Sequence, residues 1–389
     1  MKVVVASFVL LLVFREVSTF LKSGIYLDNG FDQTSIGQLG DQQIQLEVLN
    51  LLGLPNRPKK INNSVTKSAA KYILDIYNSL MEKIDGHSSR RKRSAGVNLS
   101  SEEETAVENS DVIMTFEAIR NSEKKFKRLE KGKKLWFNVS EMSVAEDVIS
   151  AELKIFQKGA PKRAGNVYAV VVYELVDRGR RFQYVSSVNT TGNYKGWLSL
   201  NLTSCTTNWS AHRHYTKGFY LSVYPVEKPG REIRPEEIGL TTSTNPFIVA
   251  FLKASTRVQP QRNVRSVSPK QNYVSTMKQY QHGTTCRIHT LYISFKDLKW
   301  QDWVIAPEGY AAYYCAGECN FPLTAHMNAT KHALVQSLVH LIQPHKFPKP
   351  CCAPTELRPI PLVYYLDAGT SNVVLKKYSN MAVKSCGCH

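Results

Sequence analysis

Two stretches near the start of the chain place apolar residues at the spacing of an amphipathic helix. Residues 44–52 are apolar at positions 44, 48, 51 and 52, and Gly53 and Pro55 follow, as at the end of a helix. Residues 69–81 repeat the pattern at positions 73, 74, 77, 80 and 81. The spacing therefore predicts two helices, each with one apolar face.

From residue 111 the pattern changes to short runs rich in β-branched and aromatic residues. These runs predict strands at residues 112–116, 134–139, 151–156, 167–176, 197–202, 220–225 and 246–252. Residues 178–181 (RGRR) are expected to form a hairpin turn after the fourth run, and the basic residues 124–134 an exposed loop. The first 265 residues are thus predicted to be α+β, with N-terminal helices followed by a β-rich domain.

Nearer the C-terminus, the pattern predicts two fingers and one helix. Residues 290–295 and 309–314 predict one finger, and residues 360–366 and 372–378 a second finger with a turn at 367–370. Residues 330–343 predict a helix with an apolar stripe. The stripe consists of Leu334, Val335, Leu338, Leu341 and Ile342. No other predicted element of this segment covers the stripe, so a second copy of the chain is expected to cover it.

The cysteines are concentrated in this C-terminal segment. Seven of the eight lie in the last 104 residues, and the first 265 residues contain only Cys205. Cys205 is expected to be either a buried thiol or a disulfide link between the propeptides of two chains. The seven are Cys286, Cys315, Cys319, Cys351, Cys352, Cys386 and Cys388. Because seven is odd, at least one is left over when the others pair within the chain. We expect disulfides to replace a hydrophobic core in this small module.

One pairing of six of these cysteines produces a cystine knot. The pairs are Cys286–Cys352, Cys315–Cys386 and Cys319–Cys388. The last two close a small ring of backbone, the first passes through it, and Gly317 leaves room for the threading sulfurs. Six cysteines allow fifteen pairings, so the spacing leaves this choice open.

The N-terminal residues have the pattern of a secretory signal peptide. Lys2 precedes an apolar run, residues 3–14, which stops at Arg15 and Glu16 and is too short to span a bilayer. We expect a signal peptide at residues 1–19, with a buried N-terminal strand or helix as the alternative. No later apolar run approaches the roughly 18 residues of a membrane span, so the chain is expected to be secreted without an anchor.

Seven Asn-x-Ser/Thr sequons agree with secretion. They are Asn62, Asn98, Asn138, Asn189, Asn201, Asn208 and Asn328. The formal net charge of +18 suggests a polyanionic partner, and outside the cell heparan sulfate is favoured over nucleic acid. Cysteine and histidine near residues 320–345 suggest zinc, but an oxidising compartment favours disulfides, so no metal or cofactor is expected.

Two basic clusters match the cleavage pattern of secretory convertases, with Arg at the first and fourth positions before the cut. Arg262 and Arg265 precede Ser266 in a segment rich in Pro, Gln and Ser, and a cut there separates the cysteine module from everything before it. Arg90 and Arg93 form a secondary site. An ordinary solvated charge run is the alternative.

The cysteine module resembles the signalling domain of the TGF-β superfamily, and more closely a bone morphogenetic protein. The matching segments are residues 300–307 (WQDWVIAP), 313–319 (YYCAGEC), 328–336 (NATKHALVQ), 351–357 (CCAPTEL) and 384–389 (KSCGCH). Residues 135–140 (LWFNVS) and 196–198 (GWL) resemble the propeptide of that family. Residues 24–30 (GIYLDNG) and 364–366 (YYL) resemble its glass-bottom-boat branch, near the osteogenic proteins.

The resemblance implies a precursor with a propeptide at residues 20–265 and a mature growth factor at residues 266–389. Cys351 then forms the interchain disulfide of a homodimer, or of a heterodimer with a related ligand. The dimer brings type I and type II receptor serine/threonine kinases together and activates SMAD signalling. Extracellular antagonists are further implied partners, and the two propeptide helices are expected to cover the apolar receptor surfaces of the ligand.

The resemblance also implies two receptor surfaces on each module. The concave side meets the type I receptor through Trp300, Trp303, Phe321, Pro322 and Leu323. The convex side meets the type II receptor through Ala306, Leu357, Leu362 and Val363. The two tryptophans are expected to be exposed, with packing inside the finger as the alternative. The prolines of residues 358–361 (RPIP) place this receptor preference in doubt.

Two other classes of protein are less well supported by the sequence. No H-E-x-x-H, G-x-S-x-G or P-loop pattern is present, so an enzyme is not expected. A structural or antagonist cystine-knot protein is disfavoured by the cysteine spacing, the tryptophan-rich finger and the large upstream segment.

Overall fold

The fold is seen in a computed structural model. It describes residues 49, 54, 68–84, 99–119, 131–142, 146–160, 163, 165–176, 181–209, 216–228, 230–240, 245–254, 285–366 and 372–389. Contacts divide the chain into Met1–Arg57 with Val258–Tyr280, and Pro58–Arg257 with Gln281–His389. In the first unit, Leu54 N donates to Leu49 O at 2.8 Å. The expected signal peptide, both expected cleavage sites and nearly all of the predicted helix at residues 44–52 lie outside the described residues.

The helices of the second unit are α1 (Ser68–Ile84), α2 (Ser101–Asn109), α3 (Thr203–Trp209) and α4 (Lys331–Ile342). Helices α1 and α4 were predicted from their apolar spacing. Helix α3 was missed, and so was α2, whose buried apolar residues are only Ala106 and Val107. Its signal is a capping box, in which Ser100 Oγ accepts from Glu103 N and Glu103 Oε2 accepts from Ser100 N. Among the described residues, no helix is both long and apolar enough to cross a membrane.

The strands of the first 265 residues follow the predicted order, with one addition. They are β1 (Val112–Glu117), β2 (Lys133–Asn138), β3 (Glu146–Gln157), β4 (Val167–Val176), β5 (Arg181–Thr191), β6 (Gly196–Asn201), β7 (Thr216–Pro225) and β8 (Phe247–Ala254). Strand β5 was missed because most of its side chains are polar and exposed. Its pairing of Arg181 with Val176 fits the predicted hairpin turn. Residue 133, predicted to lie in the basic loop, belongs instead to β2, as does residue 134, which the predicted loop and the predicted strand shared.

The predicted fingers are present, with different strand lengths. The first contains β9 (Arg287–His289), β10 (Tyr292–Ser294), β11 (Val304–Ala306), β12 (Gly309–Ala311) and β13 (Tyr314–Ala316), and the second β14 (Cys352–Tyr365) and β15 (Val373–Cys388). The ladder between β14 and β15 has irregularities between Pro354 and Leu357 and between Arg358 and Ile360, where proline cannot donate. The mostly β C-terminal module with one α-helix and disulfides confirms the predicted fold class.

The two parts of the chain share one sheet, which the sequence analysis did not predict. The order of its seven strands is β11-β14-β15-β1-β8-β3-β6. Strand β15 of the second finger pairs antiparallel with β1, placing Ile113 opposite Leu375 and Met114 opposite Val374. A second sheet has the order β2-β7-β4-β5. The second finger is therefore joined edge to edge with the β-rich domain.

One hydrophobic core spans both parts on one face of the large sheet. Helix α1 contributes a buried face centred on Tyr72, Ile73 and Ile76. The cluster continues through Phe247 of β8 to Val363 of β14. Helix α1 therefore packs over strands on both sides of the β1–β15 pairing, which we call the seam. Most of the stability of this helix comes from that packing rather than from helix propensity.

A buried ion-pair network fastens α1 and α2 to the β-rich domain. Lys154 Nζ of β3 donates to a carboxylate oxygen of Glu103 and lies 2.7 Å from Glu152 Oε2. Tyr72 Oη donates to Glu103 Oε1 at 2.9 Å. Burial alone raises the pKa of Glu103, but its hydrogen bonds from Lys154, Ser100 N–H and Tyr72 outweigh this and the pKa is lowered. Glu103 thus stays a carboxylate at neutral pH, bound to one residue of each neighbouring element.

We predict that Lys154→Ala lowers the free energy of unfolding by about 3–5 kcal/mol, because it leaves Glu103 and Glu152 without their shared cation. Lys83→Ala is the matched control. It removes a pair with Glu108 whose side chains are 52% and 60% exposed, and it should cost far less because water screens such a pair. Urea unfolding of the whole chain, followed by tryptophan fluorescence, gives both values. Equal losses would show that the buried network contributes nothing special.

Candidate functional site: the cystine knot and the covered finger

Three disulfides tie the C-terminal module together. They join Cys286 to Cys352, Cys315 to Cys386 and Cys319 to Cys388, with Cα–Cα distances of 5.4, 5.7 and 5.9 Å. This is the pairing that was weighed in the sequence. Cys286, Cys319 and Cys388 are nearly inaccessible and pack with Met327 and Ala333 in a small separate core. The module has little other apolar interior at this end, so the bridges take its place.

Gly317 is required where the chain passes through the ring of the knot. Its φ is +120°, and a Cβ there would lie 2.5 Å from Thr285 O and 2.8 Å from Cys286 N. The sequence analysis ascribed the glycine to room for threading sulfur atoms. The atoms that crowd it are instead the backbone of the threaded segment.

Cys351 is exposed and unpaired within the chain. Two backbone hydrogen bonds hold it against the C-terminus, from Cys351 N to His389 O at 2.8 Å and from His389 N to Cys351 O at 2.9 Å. Its neighbour Cys352 is in the knot. The thiol is therefore fixed at the surface of a rigid scaffold.

Helix α4 presents the predicted apolar stripe to solvent. Thr330 caps its first turn by accepting from Ala333 N, and only Ala333 and Ser337 are buried. The exposed fractions are Leu334 39%, Val335 61%, Leu338 46%, Leu341 58% and Ile342 77%. An exposed apolar patch of this kind marks an interaction surface.

The two tryptophans of the expected type I surface are buried, which corrects their predicted exposure. Trp300 is 3% and Trp303 1% exposed. Trp300 stacks on Phe295, and Trp303 packs edge-on against Tyr364. Trp303 thus connects the first finger to the second, while Trp300 packs between Phe295 and Trp303 within the first finger. Of the other residues expected there, Phe321 and Pro322 are exposed and Leu323 is half-buried.

The residues expected at the type II surface fall into two groups. Leu357 is 42% exposed. Leu362 and Val363 are 2% and 0% exposed, so they are not free surface in this form of the chain. Val363 and Ala306 belong to the core beneath α1, whereas Leu362 is not part of that cluster. The helix at residues 68–84 thus packs over two of the four residues expected at this surface, Val363 and Ala306.

Side chains reinforce the seam between β1 and β15. Thr115 Oγ1 donates to Val373 O at 3.1 Å and accepts from Val373 N at 3.2 Å. Asn372 Oδ1 accepts from Glu117 N, and its Nδ2 donates to Glu141 Oε2 at 3.0 Å. This seam was not predicted from the sequence. The available signal was the run Val373-Val374-Leu375, apolar on both faces, which indicates a strand inside a layered sheet rather than at its edge.

Lys377 connects the second finger to α2. Its Nζ donates to Val107 O at 2.6 Å and to Glu108 O at 3.2 Å, at the C-terminal end of that helix. These carbonyls have no partner within the helix, and a cation there is favoured by the helix dipole. Burial lowers the pKa of Lys377, while Asp111 and Glu108 oppose that shift. The contact spans 270 residues of sequence.

The remaining predicted sites are only partly described. Asn138, Asn189, Asn201 and Asn328 are described, whereas Asn62, Asn98 and the side chain of Asn208 lie outside the described residues. Cys205 is 7% exposed and donates from Sγ to Leu202 O at 3.1 Å. Burial, helped by Glu174, raises the pKa of its thiol to about 12. Cys205 is thus a buried thiol in this form of the chain.

Comparisons with known proteins agree with both parts. The TGF-beta propeptide model matches residues 26–251, and the model of the transforming growth factor beta like domain matches residues 285–388. Protein 60A of Drosophila virilis is 39% identical over 414 residues, covering 95% of this chain and 94% of the relative. Protein 60A of Drosophila melanogaster is 39% identical over 423 residues, covering 95% and 92%. Human bone morphogenetic protein 8A is 32% identical over 391 residues, covering 92% and 93%.

We predict that iodoacetamide modifies Cys205 in the native chain about a thousandfold more slowly than an ordinary thiol, because its pKa of about 12 leaves little thiolate near pH 8. The rate should rise with pH and on unfolding. Mass spectrometry of peptides measures it. The control is Ser204→Cys combined with Cys205→Ser, which moves the thiol to an exposed position of α3. A disulfide at Cys205, or rapid native labelling, would contradict the buried thiol.

Proposed function

The chain belongs to the transforming growth factor beta family, as a growth factor precursor of the bone morphogenetic protein and 60A type, and from this we propose that it is a secreted signalling ligand. We propose that the processed C-terminal module acts as a disulfide-linked dimer that gathers type I and type II receptor serine/threonine kinases. SMAD activation in development and growth is the proposed outcome.

The observation that supports a dimer is the combination of Cys351 with the exposed stripe of α4. A single exposed cysteine is weak support, and so is a single apolar patch. Here both occur on one small module whose own core is too small to bury the stripe. A second copy of the chain covers the stripe with its own apolar residues. The interchain disulfide makes this contact intramolecular, so the two modules no longer lose the entropy of free partners when they associate.

Processing follows from the position of the expected cuts. A cut after Arg265 separates residues 266–389 from the propeptide, and a cut after Arg93 separates α1 from α2. Neither cut removes the hydrogen bonds of the β1–β15 seam or the packing of α1 on the second finger. We therefore expect the propeptide to remain bound to the ligand after cleavage.

The retained propeptide regulates access to the type II surface in this proposal. Helix α1 covers Val363 and Ala306, which are expected to contact that receptor. Leu357 stays exposed and offers a first contact. A type II receptor therefore has to displace α1 to reach the whole surface.

The type I surface is left open by the described part of the propeptide. Phe321 and Pro322 are exposed in the described structure. The buried Trp300 and Trp303 then shape the surface from below rather than contact the receptor. The basic charge of the chain supports capture by heparan sulfate, and extracellular antagonists are expected to compete for the same two receptor surfaces.

The central test is Cys351→Ser in the full chain expressed in secreting animal cells. We expect the covalent dimer to disappear from a non-reducing gel while the module stays folded, and receptor-dependent SMAD phosphorylation in responsive cells to fall at least about tenfold. N-terminal sequencing of the secreted species locates both cuts. The control is Cys205→Ser, which should leave the dimer intact.

Two results would contradict the proposed function. Persistence of the covalent dimer in Cys351→Ser would show that another cysteine links the chains. Silence of the processed wild-type dimer in the phosphorylation assay would show that it is not an agonist.

A second prediction concerns retention of the propeptide. Lys377→Met keeps the aliphatic stem but removes the hydrogen bonds to the end of α2. Because a charged donor contributes about 1.5–3 kcal/mol, we expect the affinity of the cleaved propeptide for the ligand to fall about tenfold or more. Lys384→Met is the control, since Lys384 makes an exposed pair with Glu356 within the finger. Pull-down over a propeptide concentration series measures both, and equal affinities would refute the role of Lys377.

A further inference from the structure

A shallow hollow of about 580 Å³ lies beside the C-terminal end of β5. It is lined by Ala169, Asn189, Tyr224, Pro225, Val226 and Gly230. Most of this lining is apolar, yet one wall is the asparagine of the sequon Asn189-Thr190-Thr191. The hollow therefore adjoins a potential attachment point for a sugar.

Strand register brings these residues together on one face of the four-stranded sheet. Ala169 of β4 pairs with Asn189 of β5 on one side and with Tyr224 of β7 on the other. The three side chains therefore form a row across the sheet. The small Ala169 in the middle leaves a gap between the asparagine and the tyrosine ring.

The neighbouring residue fixes the direction of Asn189. Thr190 is 6% exposed, and its Oγ1 donates to Gln157 Oε1 at 2.7 Å on the opposite, buried face. Successive side chains of a strand alternate between faces. Asn189 consequently points away from the interior and is exposed.

The far wall of the hollow is an apolar platform. Tyr224 lies opposite Ala169 in the register of the sheet, and its side chain lines the hollow across from Asn189. Pro225 and the 49%-exposed Val226 extend the platform. A pyranose ring has C–H groups on its faces and hydroxyls at its rim, so its face can pack on an aromatic ring while its rim stays hydrated.

Asn189 also differs from the other described sequon asparagines in its hydrogen bonds. Asn328 Nδ2 donates to Cys386 O at 3.2 Å. The Oδ1 atoms of Asn138 and Asn201 accept from the backbone N–H two residues later. Asn189 has no such side-chain bond to the described residues, so its amide is unengaged beside an apolar platform.

We propose that Asn189 carries an N-linked glycan whose first N-acetylglucosamine packs in this hollow against Tyr224 and Pro225. The proposal rests on the proposed secretion, since N-glycans are added in the secretory pathway. Because β5 is an edge strand of its sheet, the packed sugar stabilises it where only β4 pairs with it.

The experiment uses the full chain secreted from animal cells. Mass spectrometry should find Asn189 occupied in the wild type and in Thr191→Ser, and unoccupied in Asn189→Gln and Thr191→Ala. The two unoccupied variants should lose about 2 °C or more in the thermal midpoint of the β-rich domain. Thr191→Ser keeps the sequon and should lose little, which makes it the matched control for Thr191→Ala.

Two further measurements locate the effect. Trimming the glycan to a single N-acetylglucosamine should preserve the midpoint, because only the first sugar reaches the hollow. The difference between occupied and unoccupied chains should vanish in Tyr224→Leu and persist in Tyr224→Phe, which retains the aromatic ring and loses only the hydroxyl.

The possible failures separate this inference from the proposed function. A secreted chain with glycans elsewhere but none at Asn189 overturns the inference and leaves the ligand proposal standing. The same holds if the glycan effect is unchanged in Tyr224→Leu, or is lost when only the first sugar remains. A chain retained in the cell with every sequon unoccupied overturns both.

Discussion

The lack of a hydrophobic core inside the C-terminal module governs much of this structure. Three disulfides hold its strands together at one end, and only a few apolar residues pack around them. The rest of its apolar surface has to be covered from outside. Along the second finger the cover is supplied by α1 and β1, which share one cluster with Val363 and Leu375. On α4 the described residues supply none, and the stripe stays exposed.

The same constraint explains why the β-rich domain and the second finger share one sheet and one hydrophobic core. A β-ladder fixes register through the backbone, so β1 holds β15 in place with little demand on side-chain identity. Helix α1 then adds apolar burial that both parts need.

The sequence predicted local elements well and their long-range partners poorly. Apolar spacing located α1, α4 and the strands of the β-rich domain, since each has its apolar residues on one face, although the apolar stripe of α4 is exposed rather than buried. It missed α2 and β5, whose stability comes from a capping box and from pairing with β4 rather than from their own apolar residues.

At the candidate site, the cysteine pattern, helped by the resemblance, anticipated the knot and the unpaired Cys351. The burial of Trp300 and Trp303 was considered only as the alternative to exposure, because whether an aromatic ring faces solvent depends on which strand folds over it. The seam of Thr115, Asn372 and Lys377 joins residues more than 250 positions apart, and no local pattern encodes such a contact.

Helix α2 shows why these long-range contacts act together. Its Glu103 accepts from Tyr72 of α1 and from Lys154 of β3. Its last carbonyls accept from Lys377 of the second finger. A nine-residue helix with little apolar surface of its own is thereby bound to the cover helix, to the β-rich domain and to the finger. Because the carboxylate is buried, it cannot lose Lys154 without a large cost in free energy, so its contacts with α1 and β3 form and break together. Displacement of α1 from the finger is therefore resisted both by the apolar core beneath it and by this fixed anchor at its side.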